Sequence, residues 1–137
     1  MKEELVSHNT AVLAEEKGFD WDCTYTYDYD KALEDAFSYT GEALFTKEDI
    51  ENAKENGYTA ILAPTQSLLQ KWLREKHNLF VTVQWVDGRL DYSKQLWSYS
   101  IHGLHYEILD CDDHSNTGNT YEEALEQSLL EALKLLK

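Results

Sequence analysis

The sequence predicts an α+β protein, with one antiparallel sheet of about four strands and helices packed on one face of the sheet. Three observations lead to this prediction. Residues 21–29, WDCTYTYDY, alternate between large apolar and polar side chains, as a strand with one buried face does. Residues 79–109 contain three further strand-like segments separated by short turns. The last segment, 120–136, carries leucines at helical spacing.

The composition is that of a folded domain. The chain has 137 residues, of which 42% are hydrophobic and 12% aromatic, which is enough to build a core without a stabilising disulfide or metal. We expect a single domain over 1–137, with residues 30–57 as a helical insertion. Cys23 and Cys111 are the only cysteines. They are predicted to be reduced and structural, and a disulfide between them stays an open alternative.

The formal net charge of −14 is unevenly distributed. Residues 1–60 carry 15 acidic and 5 basic side chains, residues 61–101 carry 3 and 5, and residues 102–137 carry 8 and 2. Because a negative surface repels phosphate, direct binding to nucleic acid or to an anionic membrane is disfavoured. The charge favours solubility or a basic partner.

The sequence also predicts a cytoplasmic location. No apolar run approaches the roughly 20 residues of a membrane helix. The first ten residues, MKEELVSHNT, lack the apolar segment of a signal peptide. We therefore expect a protein that does not contact a membrane.

The first helix is predicted to begin at Ser7 or Asn9 and to end near Lys17, with Gly18 after it. The strand at 21–29 then has two faces. Its core-facing set is Trp21, Cys23, Tyr25, Tyr27 and Tyr29, and its water-facing set is Asp22, Thr24, Thr26 and Asp28.

Three shorter elements follow. Asp30 is predicted to cap a short helix through Phe37. Thr46, with Asp49 three residues later, begins a surface helix that stops at Gly57. Residues 58–63 are predicted to form a short strand.

The second half is predicted to contain a helix, three strands and a helix. Pro64 and Thr65 begin the first of these helices, which ends at Asn78. The strands are predicted at 79–86, 95–101 and 104–109, with a turn at Asp87–Gly88. Core-facing residues are Leu68, Leu69, Trp72 and Leu73 on the helix, and Leu79, Val81, Val83, Trp85, Trp97, Tyr99, Ile101, Leu104, Tyr106 and Ile108 on the strands.

The last helix has the strongest local signals. Thr120 and Glu123 form the T-x-x-E capping box. Acidic residues lie early and lysines late, as the helix dipole favours. Its buried stripe is predicted to be Leu125, Leu129, Ala132, Leu133 and Leu136.

The segment 102–114, HGLHYEILDCDDH, is the one candidate metal site. His102, His105, Cys111 and His114 read H-x2-H-x5-C-x2-H, but residues three apart on a strand point to opposite faces unless a bulge at Gly103 reorients them. A calcium loop starting at Asp110 has no glycine or glutamate at its sixth and twelfth positions. We favour a half-exposed strand followed by an acidic loop, and assign no metal ligand and no cofactor.

Catalytic signals are weak. Cys111 and His114 are a conceivable thiol–imidazole pair, but nothing indicates an oxyanion hole. His77, at a helix C-terminus, fits an interaction with the helix dipole. We predict that the protein is not an enzyme. The tyrosines that exceed the needs of a small core indicate a protein interface, and they are Tyr25, Tyr27, Tyr29, Tyr92 and Tyr99.

Two stretches carry a resemblance. APTQSLLQKWLREKHNLFVTV and TYEEALEQSLLEALKLLK resemble small uncharacterised proteins of gut Bacteroides-type bacteria and of their phages and mobile elements, and the early LAEEKGFD is similar too. The resemblance implies a cytoplasmic bacterial protein of phage-related origin and implies no activity or site.

Three hypotheses follow. The first is a non-enzymatic protein-binding module whose partner is another protein or a second copy of the chain. The second is an acidic inhibitor that mimics nucleic acid, suggested by the charge of residues 1–60. The third is a metal-binding protein that uses 102–114.

Overall fold

The computed structural model describes residues 4–28, 32–35, 44–86, 96–105, 107–111 and 120–136. The chain divides into two compact units, Met1–Thr65 and Gln66–Lys137. Over the described ranges each unit contains two helices and one three-stranded antiparallel sheet. The α+β class is confirmed, but the strands form two sheets instead of one sheet of about four. The single domain with an insertion at 30–57 stays a prediction.

The first unit consists of α1, β1, β2, α2 and β3. Their bounds are His8–Glu16, Tyr25–Asp28, Leu33–Asp35, Lys47–Glu55 and Ala60–Ala63. The strand order is β2-β1-β3, so β1 is central. Isolated bridges join Leu5 to Thr65 and Cys23 to Phe45.

Local capping explains where both helices of this unit begin and end. Ser7 caps α1 by accepting a hydrogen bond from the Thr10 backbone N–H. Thr46 and Asp49 form a complete capping box at the start of α2. Gly18 and Gly57 follow the two helices with φ angles of 96° and 83°, the left-handed conformation that glycine adopts without strain. These predicted boundaries are confirmed.

Two predictions for this unit are wrong. Thr26 was expected to face water, yet only 3% of it is exposed, while Tyr25 and Tyr27 are half-buried. The sheet face opposite the tyrosines is therefore buried at Thr26. The helix expected from Asp30 to Phe37 is replaced by the strand Leu33–Asp35, which pairs with β1.

The second unit consists of α3, β4, β5, β6 and α4. Their bounds are Gln66–His77, Phe80–Val86, Leu96–His102, Ile108–Cys111 and Tyr121–Lys134. The strand order is β4-β5-β6. Both helices and the strands at 79–86 and 95–101 are confirmed, and Asn78 ends α3 with a φ angle of 53°. The buried apolar residues are Leu69, Trp72, Leu73, Leu79, Val81, Ile101, Ala124, Leu125, Leu129, Ala132 and Leu133.

The strand predicted at 104–109 is wrong in position. Leu104 and Ile108 were expected to face the core, but both are exposed and the strand begins only at Ile108. A turn intervenes because the Gly103 N–H donates to the Glu107 carbonyl, and the Glu107 carboxylate accepts from the His105 N–H. The predictions for Tyr29, Asp87–Gly88, Tyr92, Tyr106 and 112–119 lie outside the described residues.

Candidate functional site

The edge strand β6 carries the most exposed apolar surface of the second unit. Among the described strands, β6 lies at one end of the sheet and pairs only with β5. The exposed fraction is 56% for Leu104, 65% for Ile108 and 43% for Leu109. These three residues form what we call the β6 edge patch. Exposed apolar residues that lie together are typical of interaction surfaces.

The register explains why the patch is not covered. Ile108 lies opposite His102 on β5, and His102 lies opposite Phe80 on β4. This row belongs to the sheet face opposite the one occupied by Ile101, which is fully buried. Leu109 follows Ile108 directly, at a β-bulge where β6 has one residue more than the Ile101–His102 segment of β5. The edge therefore carries two adjacent exposed apolar residues, Ile108 and Leu109.

The opposite edge of this sheet, β4, contacts a helix. The Gln70 side chain on α3 donates a hydrogen bond of 2.9 Å from Nε2 to the Val81 backbone carbonyl of β4. A second glutamine, the buried Gln66, donates from Nε2 to the Glu122 carbonyl (2.9 Å) and to the Glu126 carboxylate (3.1 Å). These amides fix α3 against β4 and α4. Sequence reasoning missed both glutamines because polar residues in a helix carry no signal of burial.

The chain around β6 is strongly acidic. The segment 107–113, EILDCDD, has four carboxylates and no basic residue. The nearest basic residues along the chain are Lys94 and Lys134. A partner that covers the β6 edge patch would therefore bind next to an acidic segment of the chain.

The structure does not bring the predicted metal ligands together in the part of the chain that it describes. His102 Nε2 lies 2.9 Å from the Ser100 hydroxyl in a part-buried contact on β5. His105 is exposed in the turn, and His114 lies outside the described residues. No group of three or more His, Cys, Asp or Glu side chains suited to a metal ion occurs in the described ranges. The metal hypothesis is therefore supported by the sequence pattern alone.

The Cys23 thiol is protected from reaction at neutral pH. Its thiol is buried and donates to the Trp21 carbonyl. Burial, assisted by the neighbouring Asp22 carboxylate, raises the pKa of the Cys23 thiol to about 12. Because the thiolate is the reactive form, Cys23 is a structural residue at neutral pH.

Several aromatic residues also have structural contacts. The Tyr27 hydroxyl donates to the Val6 carbonyl at 2.7 Å, and the ring of His77 packs edge-on against Trp72 with centroids 4.6 Å apart. Tyr25 and Tyr99 are half-buried. The tyrosine with the largest exposed fraction in the described residues is Tyr58, at 64%, which was not among the tyrosines expected at an interface.

The first unit has a cleft of about 160 Å³ with an apolar floor that includes Phe19, Ile50 and Leu62. Lys54 and Glu15, which also line it, form an ion pair. The pair links α1 to α2 across the cleft, and such exposed pairs contribute little to stability. The cleft is therefore a weaker candidate than the β6 edge patch.

Comparison of the chain with protein-family models, curated proteins and solved structures finds no match. None of the helices in the described ranges has both the length and the apolar character needed to cross a membrane.

Proposed function

We propose that the protein is a non-enzymatic protein-binding module and that it binds its partner through the β6 edge patch. One observation supports this most directly: Ile108 and Leu109 are adjacent on an edge strand, and both are exposed. An open apolar edge is a site where another chain pairs, unless a protein blunts it. The proposal also takes the protein to be cytoplasmic and of bacterial or phage-related origin.

The test compares three forms of the full chain. Wild type, Ile108→Lys and Tyr58→Lys are immobilised, and proteins captured from a gut Bacteroides lysate are quantified by mass spectrometry. Tyr58 is a matched control because its exposed fraction, 64%, equals that of Ile108 within 1%. We expect a partner that wild type and Tyr58→Lys retain and that Ile108→Lys loses.

The partner is then purified and its dissociation constant measured. We expect Ile108→Lys to weaken binding at least about tenfold, because the lysine removes the apolar contact of Ile108 and places a charge in the interface. Equal binding by all three forms would refute the β6 edge patch as the interface. Sedimentation equilibrium of the purified chain shows whether the partner is a second copy.

The second candidate function is an acidic mimic of nucleic acid. Exposed carboxylates in the first unit support it, and they include Glu16, Asp20, Asp22, Glu48, Glu51 and Glu55. A mimic should displace a fluorescent DNA duplex from a DNA-binding protein, and a Glu48→Gln, Glu51→Gln, Glu55→Gln variant should lose this effect. Lack of displacement at low salt would refute it.

The third candidate is a metal protein that uses 102–114. Its support is the spacing of His102, His105, Cys111 and His114 in the sequence. Metal analysis of the purified protein, with thermal unfolding in added Zn²⁺ or Ca²⁺, tests it directly. If the purified protein holds no metal and added Zn²⁺ or Ca²⁺ does not shift its Tm, this hypothesis is refuted.

A further inference from the structure

The cleft of the first unit has the size and the charges of a binding site for a small cation. We propose that it binds an organic monoamine, a compound with one ammonium group on an apolar body about the size of a single aromatic ring. The cleft lies within Met1–Thr65 and shares no residue with the β6 edge patch. This site therefore goes beyond the proposed function and can be tested separately from it.

The volume and the floor of the cleft suit a single ring. The volume is about 160 Å³, close to the roughly 150 Å³ of an engineered protein cavity that holds benzene. Pockets for drug-sized ligands start at about 300 Å³, so a larger compound does not fit. The floor includes Phe19, Ile50 and Leu62, which are 5%, 5% and 7% exposed. A ring placed on this floor covers apolar surface, which favours binding.

The charges at the rim of the cleft favour a cation. Glu15 and Lys54 form an ion pair, so their charges largely cancel. Three other charged residues line the cleft, namely Asp20, Lys47 and Glu51. None of these three forms a hydrogen bond or an ion pair in the part of the chain that the structure describes. Two carboxylates against one ammonium leave one uncompensated negative charge, which a single ligand ammonium neutralises.

A ligand with a carboxylate is disfavoured at the same rim. Lys47 would attract its carboxylate, whereas Asp20 and Glu51 would both repel it. The net charge of −14 also raises the concentration of cations near the chain and lowers that of anions. A free amino acid is neutral overall and gains less from this field than a monoamine of the same size. The charges therefore favour an amine without a carboxylate.

The test titrates four compounds into the full ¹⁵N-labelled chain. Phenethylamine is the probe, phenethyl alcohol its neutral analogue, hydrocinnamate its anionic analogue, and free phenylalanine adds a carboxylate to the same body. We expect the amide signals of Phe19, Ile50 and Leu62 to shift saturably with phenethylamine, with a dissociation constant on the order of 1 mM. Phenethyl alcohol and phenylalanine should bind at least about threefold more weakly, and hydrocinnamate should cause no shift.

Matched double variants separate the cleft from the general acidity of the chain. Asp20→Asn with Glu51→Gln removes both unpaired carboxylates of the rim. Asp22→Asn with Glu55→Gln makes the same two changes at exposed residues that do not line the cleft. In about 0.15 M NaCl, where distant charges are screened, the first variant should bind phenethylamine at least about threefold more weakly than the second. All four residues are exposed, so both variants should fold as wild type does.

Several results would overturn the proposal. Equal binding of phenethyl alcohol would mean that the floor binds any small apolar body and that the ammonium is not recognised. Tighter binding of phenylalanine or hydrocinnamate would mean that Lys47 recognises a carboxylate. Equal losses in the two double variants would mean diffuse attraction to an acidic chain. The absence of a saturable shift with phenethylamine would mean that the cleft is not a binding site.

Ile108→Lys distinguishes this proposal from the proposed function. The variant should bind phenethylamine as wild type does, because Ile108 does not line the cleft. Loss of phenethylamine binding in Ile108→Lys would place the amine outside the cleft and overturn the proposal. A chain that binds phenethylamine in the expected order of compounds and variants, but captures no protein partner, would support the amine site and refute the interface.

Discussion

The two edges of the β4–β5–β6 sheet are protected in different ways. The β4 edge is seven residues long and uncharged, and the Gln70 side chain occupies its Val81 carbonyl. The β6 edge is four residues long, lies in an acidic segment and leaves Ile108 and Leu109 exposed. A long neutral edge would pair with any strand, so the helix contact protects it. On the proposed function, the short edge with its exposed Ile108 and Leu109 is the one that a partner would cover.

The largest expected effect contrasts a leucine on α4 with a leucine on β6. Leu129 is fully buried, whereas Leu109 is 43% exposed. Leu129→Ala should lower the free energy of unfolding by about 3 kcal/mol, through lost apolar burial and a cavity. Leu109→Ala should lower it by less than about 1 kcal/mol. Urea denaturation measures both, and equal losses would mean that the β6 edge is as well packed as the core.

The second effect tests the hydrogen bond that protects β4. Gln70→Ala should lower the free energy of unfolding by about 1 kcal/mol and increase light scattering on standing, because the Val81 carbonyl loses its donor. Gln127→Ala is the matched control, since it makes the same change in a helix and removes only an exposed bond to Glu131. Identical behaviour of the two variants would show that Gln70 does not protect the edge.

The contrast between the two edges was not predictable from the sequence. Alternation identified β4 and β5, because it reports which face of a strand is buried. It does not report which strands pair, so one sheet of about four strands was expected where the structure has two sheets of three. Leu33–Asp35 forms a strand through its pairing with β1, a tertiary contact that overrides the local helix signal at Asp30.

The sequence and the structure draw attention to the same segment through different residues. The sequence drew attention to 102–114 through its histidines and Cys111. The structure draws attention to Leu104 and Ile108, which were expected in the core. The turn held by Glu107 delays the start of β6 to Ile108, so Leu104 lies in the turn and not on a strand.

The third effect is the pH dependence of stability that the buried Cys23 thiol in the first unit produces. Its pKa is raised to about 12 in the folded chain, whereas an unfolded thiol ionises near the ordinary value of 9.0. The folded state therefore keeps a proton that the unfolded state loses, and this contribution to stability is lost as pH rises from 9 to 12. By pH 10 the loss should be about 1 kcal/mol.

Cys23→Ala removes this titration, so the difference in stability between it and wild type should shrink from pH 8 to pH 10. Native alkylation with iodoacetamide should also label Cys23 far more slowly than alkylation in urea, since the thiolate is scarce. Rapid native labelling would contradict a covered thiol.

The smallest effect compares two isoleucines on adjacent strands of one sheet. Ile101 on β5 is fully buried and Ile108 on β6 is 65% exposed. Removing one methyl group by Ile101→Val should cost about 1 kcal/mol, whereas Ile108→Val should change the free energy of unfolding by less than about 0.3 kcal/mol. Both variants keep a β-branched residue, so strand propensity cancels. If a bound partner covers Ile108, Ile108→Val should weaken the complex while the stability of the free chain stays the same. A loss of stability in the free chain would instead mean that Ile108 packs within the folded chain and is not available to bind a partner.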